Sequence, residues 1–481
     1  MTAATTLVGR MLRDKRATVI GLGREGKAAA RLLVEQGATV TVTDLKDAED
    51  LRATLAEMAD LPVSFCLGGH PPRVLEADII FVSPGVPLDA PIMVEARQRG
   101  LVLSSETRLF CHLCPTDIIG ITGSSGKTTT ATLVARMLET HGTRVHVGGN
   151  IGSPLIGKLS QIRRGDVVVM ELSSFQLDYF GAVLDAEPRG DLVSPLFPEG
   201  AWSPPVAAVL NVTPNHLDRH PTMDAYVEAK SRIWRYQHRD DDTVLSWDDP
   251  VTRGFAGHCP GQVTFFSTRE QVPRGACLQG DSLLLRRDDG AATICSVGDV
   301  QLRGMHNVAN VLAACTVADL FGVRPKEMAE VAATFAGVEH RLEPVRQYDG
   351  VWYYNDSIAT SPERAIAALK SFTEPIVLLA GGRDKHLAWE DWGELVGRTV
   401  VQLILFGEAA PLIEGVLERL GLRSPPLHRA EGLDHAVELA RNLAPRGSVV
   451  LFSPGGTSFD AYRDYAERGD DFKRLVESLG R

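Results

Sequence analysis

Residues 116–138 read TDIIGITGSSGKTTTATLVARML. An apolar run rich in β-branched residues stops at a glycine-serine turn, and a helix-forming run starts at once. A strand that feeds directly into a helix returns through a crossover, so its next partner lies parallel. Such a chain is committed to an α/β sheet with helices on its faces. The turn also carries chemistry, because its backbone N–H groups and the helix N-terminus favour anionic oxygens. Its order approximates the phosphate loop G-x-x-x-x-G-K-[ST]. Position 121 is Ile121, however, and the turn glycine is Gly123. Gly123, Ser124, Ser125, Gly126 and Thr129 would wrap the phosphates. Lys127 would reach the β- and γ-phosphates, and Thr128 would offer a hydroxyl to Mg2+. A merely structural turn does not account for a lysine followed by a threonine.

A second glycine turn lies earlier. ATVIGLGREG, residues 17–26, places Gly21, Gly23 and Gly26 after a strand and at the start of a helix. That helix, GKAAARLLVEQG, closes at Gly37. ATVTVTD is a second strand ending at Asp44, and ADIIFVSPGVP a third. The spacing is that of a dinucleotide fingerprint. Taken alone it fits NAD, another diphosphate ligand, or a tight structural turn.

The 481 residues, 44% of them hydrophobic, allow about three domains. We expect an α/β protein with a Rossmann-like N-terminal domain at 1–107. A central P-loop-type ATPase domain with a mostly parallel sheet follows at 108–337, and a C-terminal Rossmann-like domain at 338–481. The net charge of −11 argues against broad nucleic-acid or membrane affinity. No apolar run reaches membrane-spanning length, and MTAATTLVGRMLRDKR lacks a signal-peptide core. Seven scattered cysteines suggest reduced thiols and a cytoplasmic protein, and Cys111 and Cys114 lack the second pair a zinc site needs. Residues 181–205, rich in proline and glycine, read as an inserted surface loop. Residues 262–303 read as a small antiparallel patch.

Polar groups gather at strand ends, where ligands of open α/β sheets bind. Glu171 ends VVVMEL, and His216 lies in LNVTPNHLDRH. A carboxylate and an imidazole near a phosphate loop can hold Mg2+ or orient a reacting group. Lys230, in VEAKSRIW, would by default be a solvated helix lysine. In the third domain His340 to Glu343, Asn355 to Ser357, Arg383 to Lys385 and Ser453 to Ser458 are each weak signals. Together they suggest a polar site facing the ATP domain.

TGSSGKTT, GGNIG, ELSSFQL, NVTPNHLDRH, AKSRI, MHNVANVLAA, EHRLE and NDS occur in one order along nearly the whole chain. The series resembles the Mur ligases of peptidoglycan synthesis, most closely the branch that adds glutamate. In that family the loop is T-G-x-x-G-K-[ST]-T, so Ile121 is normal. The resemblance implies ATP-dependent addition of D-glutamate to UDP-N-acetylmuramoyl-L-alanine through an acyl phosphate. Gly21, Gly23 and Gly26 would then hold a uridine diphosphate rather than NAD, with Asp44 near the uracil. Thr128 would lie near a first Mg2+, with Glu171 and His216 as ligands of a second. Lys230 matches a lysine the family carbamylates, which would make it a metal-site residue. Asn150 matches a position near the transferred phosphate, and Asn307 and Asn310 match positions near the adenine. Arg341 and Asp356 match nucleotide contacts from the third domain, made on domain closure. Lys385, Ser458 and Tyr465 match positions around the glutamate. The chemistry needs no partner protein, so a monomer is expected.

The stretch NDSIATS departs from the family's NDSKATN at Ile358. A cation is missing where a dianionic amino acid is expected, and Arg383 could compensate. The substitution resembles a branch that adds L-glutamate, which stays open beside D-glutamate. Arg24 and Glu25 also depart from the commoner pattern, and Tyr465 replaces a common phenylalanine.

Overall fold

The run IVLLAG, Ile376–Gly381, is covered on both faces. Ile376, Leu378 and Ala380 enter one apolar cluster, while Val377 and Leu379 enter another. Parallel strands sandwiched between helix layers require such two-sided burial. The computed structural model describes residues 12–150, 154–181, 201–214, 219–385 and 387–480. Among these, the strands form sheets of five, nine and six members. The chain divides into two compact units, residues 1–301 with 305–334, and 302–304 with 335–481.

The first sheet comprises β1 (Arg16–Ile20), β2 (Thr39–Asp44), β3 (Val63–Leu67), β4 (Ile79–Val82) and β5 (Val102–Ser104), ordered 3-2-1-4-5 and parallel throughout. The strand ADIIFV is therefore the fourth, not the third. The helix Arg24–Glu35 buries Gly26, Ala29, Ala30 and Leu33, a stripe at helical spacing. The chain order reverses at β1, which places a ligand crevice at its carboxyl end.

The second sheet belongs to the same unit. It comprises β6 (Asp117–Thr122), β7 (Val145–Gly149), β8 (Val167–Glu171), β9 (Val206–Val209), β10 (Asp242–Ser246), β11 (Gln262–Ser267), β12 (Gly275–Gln279), β13 (Ser282–Arg287) and β14 (Gly290–Ser296). Their order is 14-13-12-11-10-9-6-8-7. The pairs from β7 to β12 are parallel, and only β12–β13 and β13–β14 are antiparallel. The antiparallel patch expected at 262–303 is present from β12 to β14, while β11 pairs parallel on both sides, and all four strands extend the central sheet. The phosphate-loop strand β6 lies at the switch between β8 and β9. One apolar cluster runs from Val19 and Leu33 of the first sheet's layer to Phe110, Ile118 and Val209 of the second. Of the supposed insertion at 181–205, residues 182–200 lie outside the described residues.

The second unit holds β15 (Glu343–Tyr348), β16 (Val351–Asn355), β17 (Ile376–Gly381), β18 (Val400–Phe406), β19 (Leu427–Arg429) and β20 (Val449–Gly455), ordered 15-16-20-17-18-19. Only the β15–β16 pair is antiparallel. β20 lies between β16 and β17, so loops from three adjacent strands emerge together at the carboxyl end. Among the described residues no helix is long and apolar enough to cross a membrane.

Candidate active site

The phosphate loop is braced from the NVT segment that follows β9. Ser124 N–H donates to the Asn211 carbonyl, and Ser125 N–H to Asn211 Oδ1, at 3.0 and 2.9 Å. The Ser124 hydroxyl donates to the Thr213 carbonyl at 2.9 Å. Gly126 has φ +82°, and a Cβ there would lie 2.3 Å from Asn310 Oδ1. Only glycine suits both the left-handed backbone and that approach. Asn310 Nδ2 donates to Asn307 Oδ1 at 3.1 Å, so both asparagines sit at the loop's flank. Lys127 opens the helix Lys127–Thr140, and its Nζ donates to the Gly123 carbonyl at 3.0 Å. Thr129 is buried behind it.

Glu171 ties three elements together. Its buried carboxylate accepts from Thr128 Oγ1 at 2.6 Å and from Asn150 Nδ2 at 2.9 Å. Lys230 is only 1% exposed, far from the solvated lysine its spacing suggested. Its Nζ contacts Thr122 Oγ1 at 3.3 Å and lies 4.7 Å from the centre of the Tyr226 ring. Burial first, then the Lys127 charge, holds this amine well below the usual lysine range, against a smaller pull from Glu171. His216 lies outside the described residues, with its neighbours Asn215 and Asp218. Thr128 and Glu171 present hard oxygens beside a phosphate loop. That donor set fits Mg2+, which takes one or two protein ligands and completes its shell with water and phosphate oxygens.

A cleft of about 830 Å³ opens at the carboxyl end of the first sheet. Asp44, Lys46 and His70 line one end, and Asn150, Ser173 and Phe175 line the other. Gly21 has φ +89°, while a Cβ on Gly26 would lie 2.0 Å from the Gly21 carbonyl. A Cβ on Gly23 would meet nothing within 4 Å, so the backbone there lies open to the cleft. The Asp44 carboxylate accepts from Leu22 N–H at 2.6 Å and Lys46 N–H at 2.9 Å, which fixes the turn. Arg24 reaches out of this turn, and its Nη2 donates to the Asn150 carbonyl at 3.1 Å.

Glu25 turns away from the helix N-terminus into a second carboxyl, Glu106. The Thr107 hydroxyl lies 3.2 Å from Glu25 Oε2 and 3.3 Å from Glu106 Oε2. A hydroxyl has one proton, so it can donate to one of these carboxyls and must accept from the other, which is then protonated. Burial pushes Glu25 up to about 7 and, with repulsion from Glu25, Glu106 up to about 8. Between the unfolded carboxyl range and pH 8 the folded state thus binds protons that the unfolded chain has released. Stability from this pair is complete at low pH and falls as pH rises toward 8. A Glu106→Gln protein should lose much of that fall. Its melting temperature should exceed the parent's at pH 8.5, by the equivalent of roughly 2 kcal/mol. Parallel melting curves from pH 6 to 8.5 would disprove the shared proton.

The second unit gathers its own polar set. Asp356 follows β16 and is buried. Its carboxylate accepts from Ser453 Oγ at 2.7 Å and from Leu342 N–H at 3.2 Å. Burial pushes it up to about 7, against the pull of the Ser453 hydrogen bond and the Arg341 charge. Arg341 sits between His340 and Leu342, whose φ values are +62° and +45°. Such a backbone is costly for bulky residues and marks a constrained turn. Lys385 follows β17, and burial and the Arg364 charge lower its pKa. Ser458 is buried after β20, while Tyr465 is exposed at the start of the last helix. Arg383 does not stand free to replace the absent lysine. It forms a two-pronged pair with Glu408 at 2.7 and 2.9 Å. The cation beside Ile358 is Arg364, whose Nη1 donates to the Ile358 carbonyl at 3.3 Å.

Sequence reasoning passed over the far wall of the cleft, Ser83 to Val86. The Ser83 hydroxyl donates to the Gly21 carbonyl at 2.6 Å, and Arg219 Nη2 and the Tyr179 hydroxyl hold the Val86 carbonyl at 2.7 and 3.0 Å. The signal was the SPG turn directly after a buried strand. Cys111 is a buried thiol against Met170.

Residues 15–104 match the Mur ligase MurD-like N-terminal domain, residues 121–194 and 197–318 the Mur ligase middle domain, and residues 340–456 the Mur ligase glutamate ligase domain. The UDP-N-acetylmuramoylalanine–D-glutamate ligase of Symbiobacterium thermophilum is 44% identical over 470 residues, 97% of this chain and 98% of that one. The enzyme of the same name from Acetivibrio thermocellus is 40% identical over 476 residues, 98% of each. Two solved structures share the fold. UDP-N-acetylmuramate-alanine ligase MurC from Thermotoga maritima has a TM-score of 0.56 at 17% identity, covering 96% of this chain and 99% of that one. The Thermotoga maritima MurF ligase in complex with ADP has a TM-score of 0.54 at 19% identity, covering 99% of each.

Proposed function

The chain belongs to the Mur ligase family, and from that premise we propose that it joins D-glutamate to UDP-N-acetylmuramoyl-L-alanine at the expense of ATP. The observation that carries this reading is the 44% identity, along almost the entire chain, to a ligase named for D-glutamate. Neither of the two relatives described carries L-glutamate or a nicotinamide reaction in its name.

On this reading residues 1–107 take the UDP-sugar, 108–337 take ATP and 338–481 take glutamate. The diphosphate lies against the open backbone at Gly23 and the helix N-terminus, where Gly21 and Gly26 keep the turn tight and Asp44 holds it. The alanyl carboxylate attacks the γ-phosphorus of ATP, and ADP departs. The glutamate amine then adds to the acyl carbon, and phosphate leaves as the amide forms. Loop amides from Gly123 to Thr129 and the Lys127 ammonium meet the charge on the transferred phosphoryl group. Asn150 orients that group, Asn307 and Asn310 flank the adenine, and Arg341 and Asp356 serve the nucleotide. Lys385, Ser458 and Tyr465 receive glutamate, with Arg364 adding positive charge near Ile358. Bound Mg2+, one ion near Thr128 and a second near Glu171, His216 and a carbamylated Lys230, would neutralise phosphate oxygens. The reaction runs in the cytoplasm on a monomer and involves neither nucleic acid nor membrane insertion.

The test is ADP release with ATP, Mg2+ and UDP-N-acetylmuramoyl-L-alanine, comparing D-glutamate, L-glutamate and no amino acid. Turnover should require D-glutamate. Turnover with L-glutamate alone would overturn the stereochemical assignment.

A further inference from the structure

Arg468 is the most buried cation of the C-terminal unit, at 0% exposure. It lies on the last helix, Tyr465–Glu477, in line with Phe472 and Val476 on the stripe that faces the core. Its guanidinium forms no ion pair among the described residues. Nε donates to the Ser357 hydroxyl at 3.1 Å, and Nη2 donates to the carbonyls of Ser357 at 2.9 Å and Gly456 at 3.1 Å. Nη1 is buried without a hydrogen-bond partner, and a Cβ on Gly382 would lie 2.8 Å from it.

Those contacts fall on the loops that follow β16, β20 and β17. The loops are also laced to one another. Gly455 N–H donates to the Ala359 carbonyl, and Arg383 and Thr457 exchange two backbone hydrogen bonds, all at 2.8 Å. The same loops carry Ile358, Lys385 and Ser458. Burial holds this guanidinium below the usual arginine range, at about 10, and the pull of Asp460 offsets only part of that, so the internal charge stays incompletely compensated. A dianionic ligand on the outer side of the loops would supply further negative charge.

We propose that Arg468 is a positioning residue for glutamate. From beneath the three loops it holds Ser458 and Lys385 in register, and it provides internal positive charge toward the amino acid's carboxylates where position 358 offers none. The inference rests on the glutamate-ligase reading above. Asp356, the proposed nucleotide contact beside Ser357, is held separately by Ser453 and Leu342, so removal of Arg468 should act chiefly on glutamate.

The experiment uses the full-length enzyme and follows ADP release while glutamate, ATP and UDP-N-acetylmuramoyl-L-alanine are varied in turn. Arg468→Met should raise the glutamate KM by about 10–100-fold and leave the other two KM values within about threefold. Arg468→Lys keeps the charge but cannot hold both carbonyls, so its glutamate KM should rise only about 3–10-fold. Equal increases in all three KM values, or lost thermal stability with an unchanged glutamate KM, would overturn the proposal. If the methionine variant does not fold, the lysine variant decides by the same comparison. An unmodified enzyme that turns over with no glutamate isomer would overturn the functional reading itself, and this proposal with it.

Discussion

A Lys127→Ala protein should release ADP at about a thousandth of the parent rate or less, while still binding UDP-N-acetylmuramoyl-L-alanine with unchanged affinity. The two halves of that result come from different places in one unit. The sugar nucleotide is assigned to the cleft between Asp44 and Phe175, whose lining does not include Lys127. The ammonium instead sits at the first residue of the helix that follows the phosphate loop, with its Nζ folded over the Gly123 carbonyl. Phosphoryl transfer asks little covalent help of a protein, so removing this charge removes a large share of what the site contributes. Alanine is also a good residue at a helix start, so stability should change little. Calorimetric titration of the UDP-sugar beside an ADP-release assay measures both halves. A variant that kept full turnover would refute the placement of the triphosphate.

The loops that carry this chemistry were legible in the sequence because glycine, lysine and hydroxyl residues stand where buried apolar runs stop. The strands around them, such as IVLLAG, were legible because both faces are buried and the run is unbroken. β3 was not, because VSFCL is only half-buried and reads as neither alternation nor core. Strand direction was legible where a helix follows a strand, but hidden at the point within 262–303 where parallel gives way to antiparallel. TFFST and SLLLRR look alike as patterns, yet one pairs parallel with its neighbours and the other antiparallel. Side-chain destinations were the least visible. Arg383 and Arg468 are both plain arginines in the sequence. One is spent on Glu408 at the surface, and the other lies at 0% exposure under the loops. Arg468, Phe472 and Val476 stand four residues apart, a core-facing stripe that the sequence reading passed over. Glu25 was visible only as a departure from a pattern; its pairing with Glu106 depends on how the helix Glu106–Leu113 packs.

Lys230→Ala should lose activity by about a hundredfold or more, and acetate or formate should restore part of it. The argument starts from burial. A lysine 1% exposed, with the Lys127 charge nearby, is poorly placed to remain an ammonium. A neutral amine can add carbon dioxide, forming an N–C bond and releasing a proton. The product is a carbamate, which turns a cationic side chain into an anionic oxygen donor. That change of sign suits its surroundings, since Lys127 repels the ammonium and would attract the carbamate, an effect larger than the opposing one of Glu171. The oxygens would also resemble those of Glu171, the type of donor Mg2+ takes. A small carboxylate diffusing into the space left by the truncated side chain would return one such anion, whereas chloride at equal ionic strength would not. An isotope-edited carbon spectrum of the parent protein under labelled carbon dioxide should contain a carbamate signal that the alanine variant lacks. Full turnover by the variant, or the same carbamate signal in both proteins, would refute the modification at this residue.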